Sequence, residues 1–270
     1  MLAVKTENLG FSYAGKPVLV GISLEIKQGE FVGLIGKTGC GKSTFLLTLN
    51  GLIPHMVKGE FTGKVEILGK DTSEVPVHEL AQKVAFVFQD PDEQIFSLSA
   101  RDEVLFGLQN IGVRGEEAEK RTEEALKAVG LLDSIDSDPH TLSYGSKQKL
   151  AFACAISVDP ELVVLDEPVS SLDNESSEEI YSILKGLNRK GKTIIAAEHD
   201  TEWLAEHASR LLFLNNGKIE LDGELQLLFD KKIEKAGVKI PCIAKVSKEM
   251  GASFLTPRDL INHMKKRKVK

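Results

Sequence analysis

Short apolar runs that end in polar or glycine-rich turns dominate the pattern of this chain. Phe31-Val-Gly-Leu-Ile35 enters a glycine-rich turn, and Ser43 to Asn50 follows with helical character. That succession reads as a buried strand feeding a helix. Val65-Glu-Ile-Leu68, Val84-Ala-Phe-Val-Phe88, Leu162 to Leu165, Thr193 to Ala197 and Leu211 to Leu214 read as further strands. They alternate with helical segments, which predicts an α/β core on a largely parallel sheet. Glu116 to Val129 is charged and helical, with Ala118, Ala125, Leu126 and Val129 on one face. Leu2 to Ile26 alternates around Ala14-Gly15-Lys16-Pro17, which predicts short strands of a small antiparallel sheet. No internal repeat is evident.

The pattern stays structured beyond residue 230. Ile243, Val246 and Met250 share a helical face, and Gly251 is a stop signal. Thr256-Pro257-Arg258-Asp259 reads as an N-cap, a proline at the first helical position and an acid in the first turn. Leu260, Ile261 and Met264 supply the next apolar face. A small helical appendage over 231–270 is expected, with disorder only from Lys265 to Lys270.

Composition narrows the class. The 270 residues are 42% hydrophobic and 27% charged, an ordinary soluble balance. The longest apolar runs fall far short of the ~18–20 residues that cross a bilayer. No secretory signal opens the chain. A cytoplasmic protein is expected, and other chains would have to form any path across a membrane. Cys40, Cys154 and Cys242 show no metal-ligand spacing, so reduced thiols are expected. The formal charge of −6 argues against a nucleic-acid role. It is unevenly spread: from residue 231 onward twelve Lys or Arg face three Asp or Glu. The terminal Lys265-Lys-Arg-Lys-Val269 has the look of a nuclear import signal. We read it instead as a solvated basic tail, or one in weak contact with anionic lipid headgroups.

The turn after the first buried strand carries chemistry. Gly36-Lys-Thr-Gly-Cys-Gly-Lys-Ser43 fits the G-x-x-x-x-G-K-[ST] phosphate-binding pattern. Glycines let the backbone curl so that successive N–H groups face one anion. The following helix directs its positive dipole end at the same place. Lys42 is expected to reach the β and γ phosphates of a nucleotide, and the Ser43 hydroxyl to ligate Mg²⁺. Gly36, Lys37, Thr38, Gly39, Cys40, Gly41, Lys42, Ser43 and Thr44 are therefore candidate ATP contacts. A thiol at a helix N-terminus commonly has a lowered pKa. Alkylation of Cys40 is accordingly expected to block ATP binding, unless Cys40 is an inert small side chain.

A second apolar strand ends in two acids, Asp166 and Glu167. Strand tips at the carboxyl edge of a parallel sheet face a crevice, so carboxylates sit there without deep burial. Alone these two would read as solvated strand-end acids. With the phosphate loop upstream, Asp166 becomes a candidate Mg²⁺ holder through water, and Glu167 a candidate general base for the attacking water.

At this point the sequence resembles the ABC ATPases, over about residues 1–230. Gln89 follows the strand Val84 to Phe88 as the family's Q-loop glutamine does. Leu142-Ser-Tyr-Gly-Ser-Lys-Gln148 resembles the signature motif, Ser171-Leu-Asp173 the D-loop, and His199 the switch histidine. Tyr13 stands where the family stacks an aromatic on adenine. Singly, Gln89, His199 and Tyr13 would read as ordinary polar or packing residues; their order in one chain changes that reading. The resemblance implies a P-loop NTPase core with an N-terminal antiparallel β subdomain, an inserted helical subdomain at about 92–158 and the C-terminal appendage. It implies that Gln89 senses Mg²⁺ and the water, and that His199 bonds the γ-phosphate. It also implies that Ser143, Gly145 and Asp173 serve the ATP bound on a second ATPase subunit. Tyr144 and Ser146 depart from the usual Leu-Ser-Gly-Gly-Gln. This leaves open a degenerate site in a heterodimer.

Gln89-Asp-Pro-Asp-Glu-Gln94-Ile-Phe96 resembles the Q-loop of energy-coupling-factor (ECF) ATPases, as do Ala236-Gly-Val-Lys-Ile-Pro241 and Leu255-Thr-Pro257-Arg-Asp-Leu260 the C-terminal piece of that branch. This implies an ATPase at the cytoplasmic face of the cell membrane that energises uptake of a vitamin, cobalt or nickel. Its expected partners are a second ATPase subunit, a membrane coupling subunit whose helix enters a groove near Gln94 to Phe96, and a substrate-binding membrane subunit. The C-terminal piece is expected to pack in the ATPase dimer. The rival is a soluble ABC protein of DNA repair or translation. The short Gln89-to-signature interval and the single ATPase domain speak against it.

Overall fold

Two sheets organise the chain, which the computed structural model describes over residues 1–268. The first is antiparallel. It contains β1 (Leu2–Tyr13), β2 (Lys16–Lys27), β4 (Glu60–Ile67) and β5 (Lys70–Asp71), in the order β2-β1-β4-β5. Its first two strands have 12 residues each, longer than the short strands expected. The turn between them holds Ala14 and Gly15 at φ 46° and 76°, the paired positive values of a tight hairpin. Because that hairpin pairs the strands along their full length, the irregularities inside them act as bulges and not as ends.

The second sheet contains β3 (Phe31–Ile35), β6 (Val84–Val87), β7 (Leu162–Asp166), β8 (Thr193–Ala197), β9 (Arg210–Asn215) and β10 (Lys218–Gly223). Its order is β10-β9-β3-β8-β7-β6, parallel throughout except for the antiparallel edge strand β10. The core strands read as unbroken apolar runs because both faces are covered. In β3, Phe31 and Ile35 face one hydrophobic cluster, and Val32 and Leu34 the other. This is the alternation of a strand whose side chains point to opposite faces.

One cluster lies between the two sheets and takes in Phe45, Leu46 and Leu49 of helix α1 (Lys42–Leu49). The other is covered by helices α2 (Ala100–Asn110), α3 (Glu116–Ala128), α4 (Tyr144–Ser157), α5 (Asn174–Arg189) and α6 (Thr201–His207). α2, α3 and α4 pack on one another as a group between β6 and β7. In α3, Ala118, Ala125 and Leu126 are buried on one face, the spacing the sequence predicts. Among the described residues no helix is long and apolar enough to cross a membrane.

Beyond β10 come α7 (Lys231–Lys235), α8 (Cys242–Glu249) and α9 (Pro257–Lys268). Thr256 caps α9 reciprocally: its Oγ1 accepts the Asp259 N–H at 3.2 Å, and Asp259 Oδ2 accepts the Thr256 N–H at 3.1 Å. Gly251 ends the α8 segment at φ 66°. Two expectations change here. α8 buries Ala244 and Ser247, whereas Val246 and Met250 are 47% and 57% exposed. Ser247 is held inside by hydrogen bonds with Ala244 and Phe254. The backbone of α9 continues to Lys268 where disorder was expected from Lys265; Val269 and Lys270 lie outside the described residues.

Candidate active site

Four neighbouring strands, β3, β8, β7 and β6, end at one edge of the parallel sheet. The residues just past them are the phosphate loop, His199, Asp166 with Glu167, and Gln89. Parallel pairing alone brings these four stretches of sequence to one crevice.

The loop from Gly36 to Ser43 leaves β3 and wraps the start of α1. At Gly36 a Cβ would lie 2.2 Å from the Leu214 carbonyl oxygen, so only glycine fits. Gly41 stands at φ 109°, and a Cβ there would meet the Val18 carbonyl oxygen at 3.0 Å. Lys42 opens α1 with its side chain only 4% exposed. Its Nζ donates to the Gly36 carbonyl at 3.1 Å and lies 3.5 Å from Glu167 Oε1. The ammonium is thus folded back across the loop it belongs to.

Glu167 is the hub. Its Oε1 lies 2.9 Å from His199 Nε2, and its Oε2 accepts from Gln89 Nε2 at 3.1 Å. His199 Nε2 is also 3.2 Å from Thr38 Oγ1. An Nε2–H donated toward the carboxylate is the tautomer that suits both contacts. Glu167 sits at φ 49°, a left-handed conformation uncommon outside glycine. The turn is fixed from both sides, since its N–H donates to the Ala197 carbonyl at 3.0 Å and its own carbonyl accepts from the Ser170 N–H at 3.2 Å. Such strain persists where the surroundings over-determine it, and active sites are where it collects.

Asp166, one residue earlier, is buried and differently placed. Burial pushes its carboxyl up from the ordinary range, the Ser43 hydroxyl partly offsets this, and Glu167 adds to it. Its Oδ1 has no hydrogen-bond partner. An orphaned carboxylate oxygen beside a hydroxyl suits a hard cation such as Mg²⁺, which keeps several waters and takes one or two carboxylates with substrate phosphates. Among the described residues no cluster of three or more His, Cys, Asp or Glu is arranged as a self-sufficient metal cage.

The other sequence candidates are placed as follows. Tyr13 ends β1 edge-on to Phe11, with its hydroxyl 3.5 Å from Thr44 Oγ1, beside the phosphate loop. Ser143 caps α4, accepting the Ser146 N–H at 3.2 Å and donating its hydroxyl to Ser146 Oγ at 3.0 Å, so the Ser146 side chain supports the cap. Asp173 caps α5 in the same way, accepting the Ser176 N–H at 2.8 Å. Among the described residues no hydrogen bond joins Ser143, Gly145 or Asp173 to the cluster around Lys42. Tyr144 donates its hydroxyl to the Gln89 carbonyl at 3.1 Å. The residue that departs from the usual signature therefore braces the Q-loop of its own chain. Lys147 adds an ion pair to Asp92 at 2.7 Å.

The Cys40 thiol is buried, and burial pushes its pKa up in spite of Lys42 nearby, against the lowered value expected from its helix N-terminus. Burial pushes Cys154, which is partly buried, up as well, and only Cys242 is exposed. Thiol labelling at neutral pH, followed by mass spectrometry, is expected to modify Cys242 first and Cys40 at least tenfold more slowly. Rapid labelling of Cys40 with loss of ATP binding would contradict this. Glu198, which has no part in the motifs above, is also at the site. It is 1% exposed and accepts from the Tyr181 hydroxyl at 3.0 Å. Burial, with Glu167 nearby, pushes its carboxyl up to about 8, and the Val169 N–H it also accepts works the other way. Glu198 thereby ties the turn after Glu167 to α5. Its only signal in the sequence is a carboxylate that follows the apolar run Ile194 to Ala197 without a break.

A groove of about 690 Å³ opens between α2, α4 and β6. Phe96 and Phe106 stand at its rim, 58% and 47% exposed and edge-on to each other at 4.8 Å. Ile95, its expected neighbour, is instead buried in the core.

The family model described as ABC transporter matches residues 19–170. The energy-coupling factor transporter ATP-binding protein EcfA of Carboxydothermus hydrogenoformans is 40% identical over 261 residues, covering 96% of this chain and 95% of its own. Among solved structures, cbiO1 of Clostridium perfringens, described as part of the ABC transporter complex cbiONQ, superposes with a TM-score of 0.75 at 31% identity. That match covers 92% of this chain and 99% of cbiO1. The dimeric ATP-binding cassette MJ0796 bound to ADP and Pi superposes with a TM-score of 0.73 at 31% identity, covering 82% of this chain and 98% of the cassette.

Proposed function

Since this chain belongs to the ABC transporter ATP-binding family, in its energy-coupling-factor branch, and is an ATPase coupled to transport, we propose that it drives uptake of a micronutrient from the cytoplasmic face of the membrane. The observation that carries the reading is the single carboxylate, Glu167, held at the edge of the sheet by Gln89 and His199 with Lys42 alongside.

The chain's own groups divide the work. The loop amides from Gly36 to Thr44 and the Lys42 ammonium hold the β and γ phosphates, and Tyr13 stacks on the adenine. Lys42 exchanges its Gly36 carbonyl and Glu167 for phosphate oxygens, so its burial is compensated in both states. Freed of Lys42, Glu167 accepts a proton from the attacking water, which Gln89 orients. His199 donates its Nε2–H to the γ-phosphate in place of the carboxylate. Ser43, and Asp166 through water with Gln89 nearby, would hold Mg²⁺, which would supply neutralisation of the charge on the phosphates. Ser143, Gly145 and Asp173 reach the ATP of a second ATPase subunit, a copy or a paralogue. This agrees with their having no part in the Lys42 cluster of their own chain.

The groove rimmed by Phe96 and Phe106 receives a helix of a membrane coupling subunit, which in turn joins a substrate-binding membrane subunit. Exposed aromatic pairs at the mouth of an apolar groove are a common anchor for an amphipathic helix. Gln94, whose Oε1 accepts the Phe88 N–H at 3.4 Å, links the groove to the Q-loop that carries Gln89. The double substitution Phe96→Asp and Phe106→Asp is expected to abolish co-purification of membrane chains while ATP hydrolysis by the isolated chain persists. Recovery of the wild-type chain without any membrane chain, when those chains are co-expressed, would favour the soluble reading.

A further inference from the structure

The loop that carries His199 is anchored on both sides, on one side to the parallel sheet and on the other to the C-terminal segment. On the near side, the Glu198 N–H donates to the Leu34 carbonyl at 3.1 Å and the Glu198 carboxyl is buried against Tyr181. On the far side, Asp200, Thr201 and Glu202 are joined in turn to a segment about forty positions downstream. Asp200 and Lys239 form an isolated parallel β-bridge, and Lys239 Nζ is ion-paired with Asp200 Oδ2. Thr201, fully buried, donates its hydroxyl to the Lys239 carbonyl at 2.5 Å. The Cys242 N–H donates to Glu202 Oε1 at 3.2 Å. Val238 and Pro241 are buried along the way.

His199 itself is 43% exposed, and its ring meets only Glu167 and Thr38 through hydrogen bonds. The direction of the ring is therefore set by the backbone on either side of it. An exposed ion pair such as Lys239 with Asp200 adds little to global stability. A displacement of about 1 Å at a reacting group, in contrast, can lower a rate on the order of a hundredfold. The contacts are thus better matched to positioning than to holding the fold together.

We propose that the segment Gly237–Cys242 is a strap that positions His199, with Lys239 as its principal positioning residue. The C-terminal appendage is thereby coupled, within one chain, to the group that meets the γ-phosphate. This rests on the assignment of His199 to the γ-phosphate, and the experiment separates the two. Steady-state ATP hydrolysis by the full chain is measured for wild type, Lys239→Ala, Lys239→Arg and His199→Ala. The His199 imidazole resonance, assigned by its loss in His199→Ala, is followed alongside.

Lys239→Ala is expected to lower kcat about tenfold with KM for MgATP within about twofold, and to shift or broaden the His199 signal. Lys239→Arg, which keeps the charge and the reach, is expected to restore both. A kcat for Lys239→Ala within about twofold of wild type would overturn the strap. So would a fall that Lys239→Arg does not rescue, or one that leaves the His199 signal unmoved. Should His199→Ala keep wild-type kcat, it is the histidine's assigned role that fails, and the strap with it. A dead His199→Ala beside a normal Lys239→Ala removes the strap alone.

Discussion

Replacing Lys42 by Ala is expected to weaken ATP binding at least a hundredfold and to bring hydrolysis below detection, as read by equilibrium nucleotide binding and phosphate release. Two effects act together. The terminal phosphates lose the buried ammonium of the loop, and charge-assisted contacts of this kind are among the strongest in a dry site. The substitution also removes the cation beside Glu167 in the nucleotide-free protein. That leaves a carboxylate that is itself buried without its nearest positive charge, and uncompensated buried charge is destabilising. A modest drop in melting temperature therefore accompanies the loss of binding. Lys42→Arg is not expected to rescue it. The ammonium is 4% exposed and lies between the Gly36 carbonyl at 3.1 Å and Glu167 at 3.5 Å, so the larger planar guanidinium would displace one of these partners.

Glu167→Gln is expected to reduce kcat by about 10²–10⁴, the usual worth of a positioned general base, with ATP affinity changed little. The carboxamide keeps the shape: its oxygen can still accept from His199, and its NH2 can donate to Gln89 once that amide flips, so the strained turn at φ 49° is preserved. What is lost is the proton acceptor. Single-turnover hydrolysis at saturating MgATP is the direct reading. Wild-type rates in this variant would move the base elsewhere, and Asp166 would be the nearest alternative carboxylate.

Much of the fold was legible because the relevant signals are local. Phe31 to Ile35 is wholly apolar and is followed at once by glycines that the turn demands sterically, so strand, loop and helix start could be placed together. The parallel sheet then converts four separate strand ends into one crevice, which is why Gln89, Glu167 and His199 could be named from order alone. The misses share a different origin. Cys40 was read from its helix N-terminus, but burial outweighs that dipole, and burial is set by residues far away in the chain. Glu198 was passed over because its partners, Tyr181 and Val169, lie on other elements. The apolar faces of α8 and α9 were real in the sequence. The structure leaves Val246, Met250, Ile261 and Met264 about half exposed, since periodicity says which residues share a face and not what covers it. Tyr144 could be seen as a departure from the signature, but its bond to the Gln89 carbonyl spans 55 residues and has no local trace.

The account's central claim is that Glu167, at the meeting point of four strand ends, activates the water that attacks the γ-phosphate. The nucleotide retained by Glu167→Gln after incubation with MgATP, recovered by rapid gel filtration and identified by chromatography, tests this most directly. The account predicts intact ATP. Recovery of ADP and phosphate at the wild-type rate would contradict it.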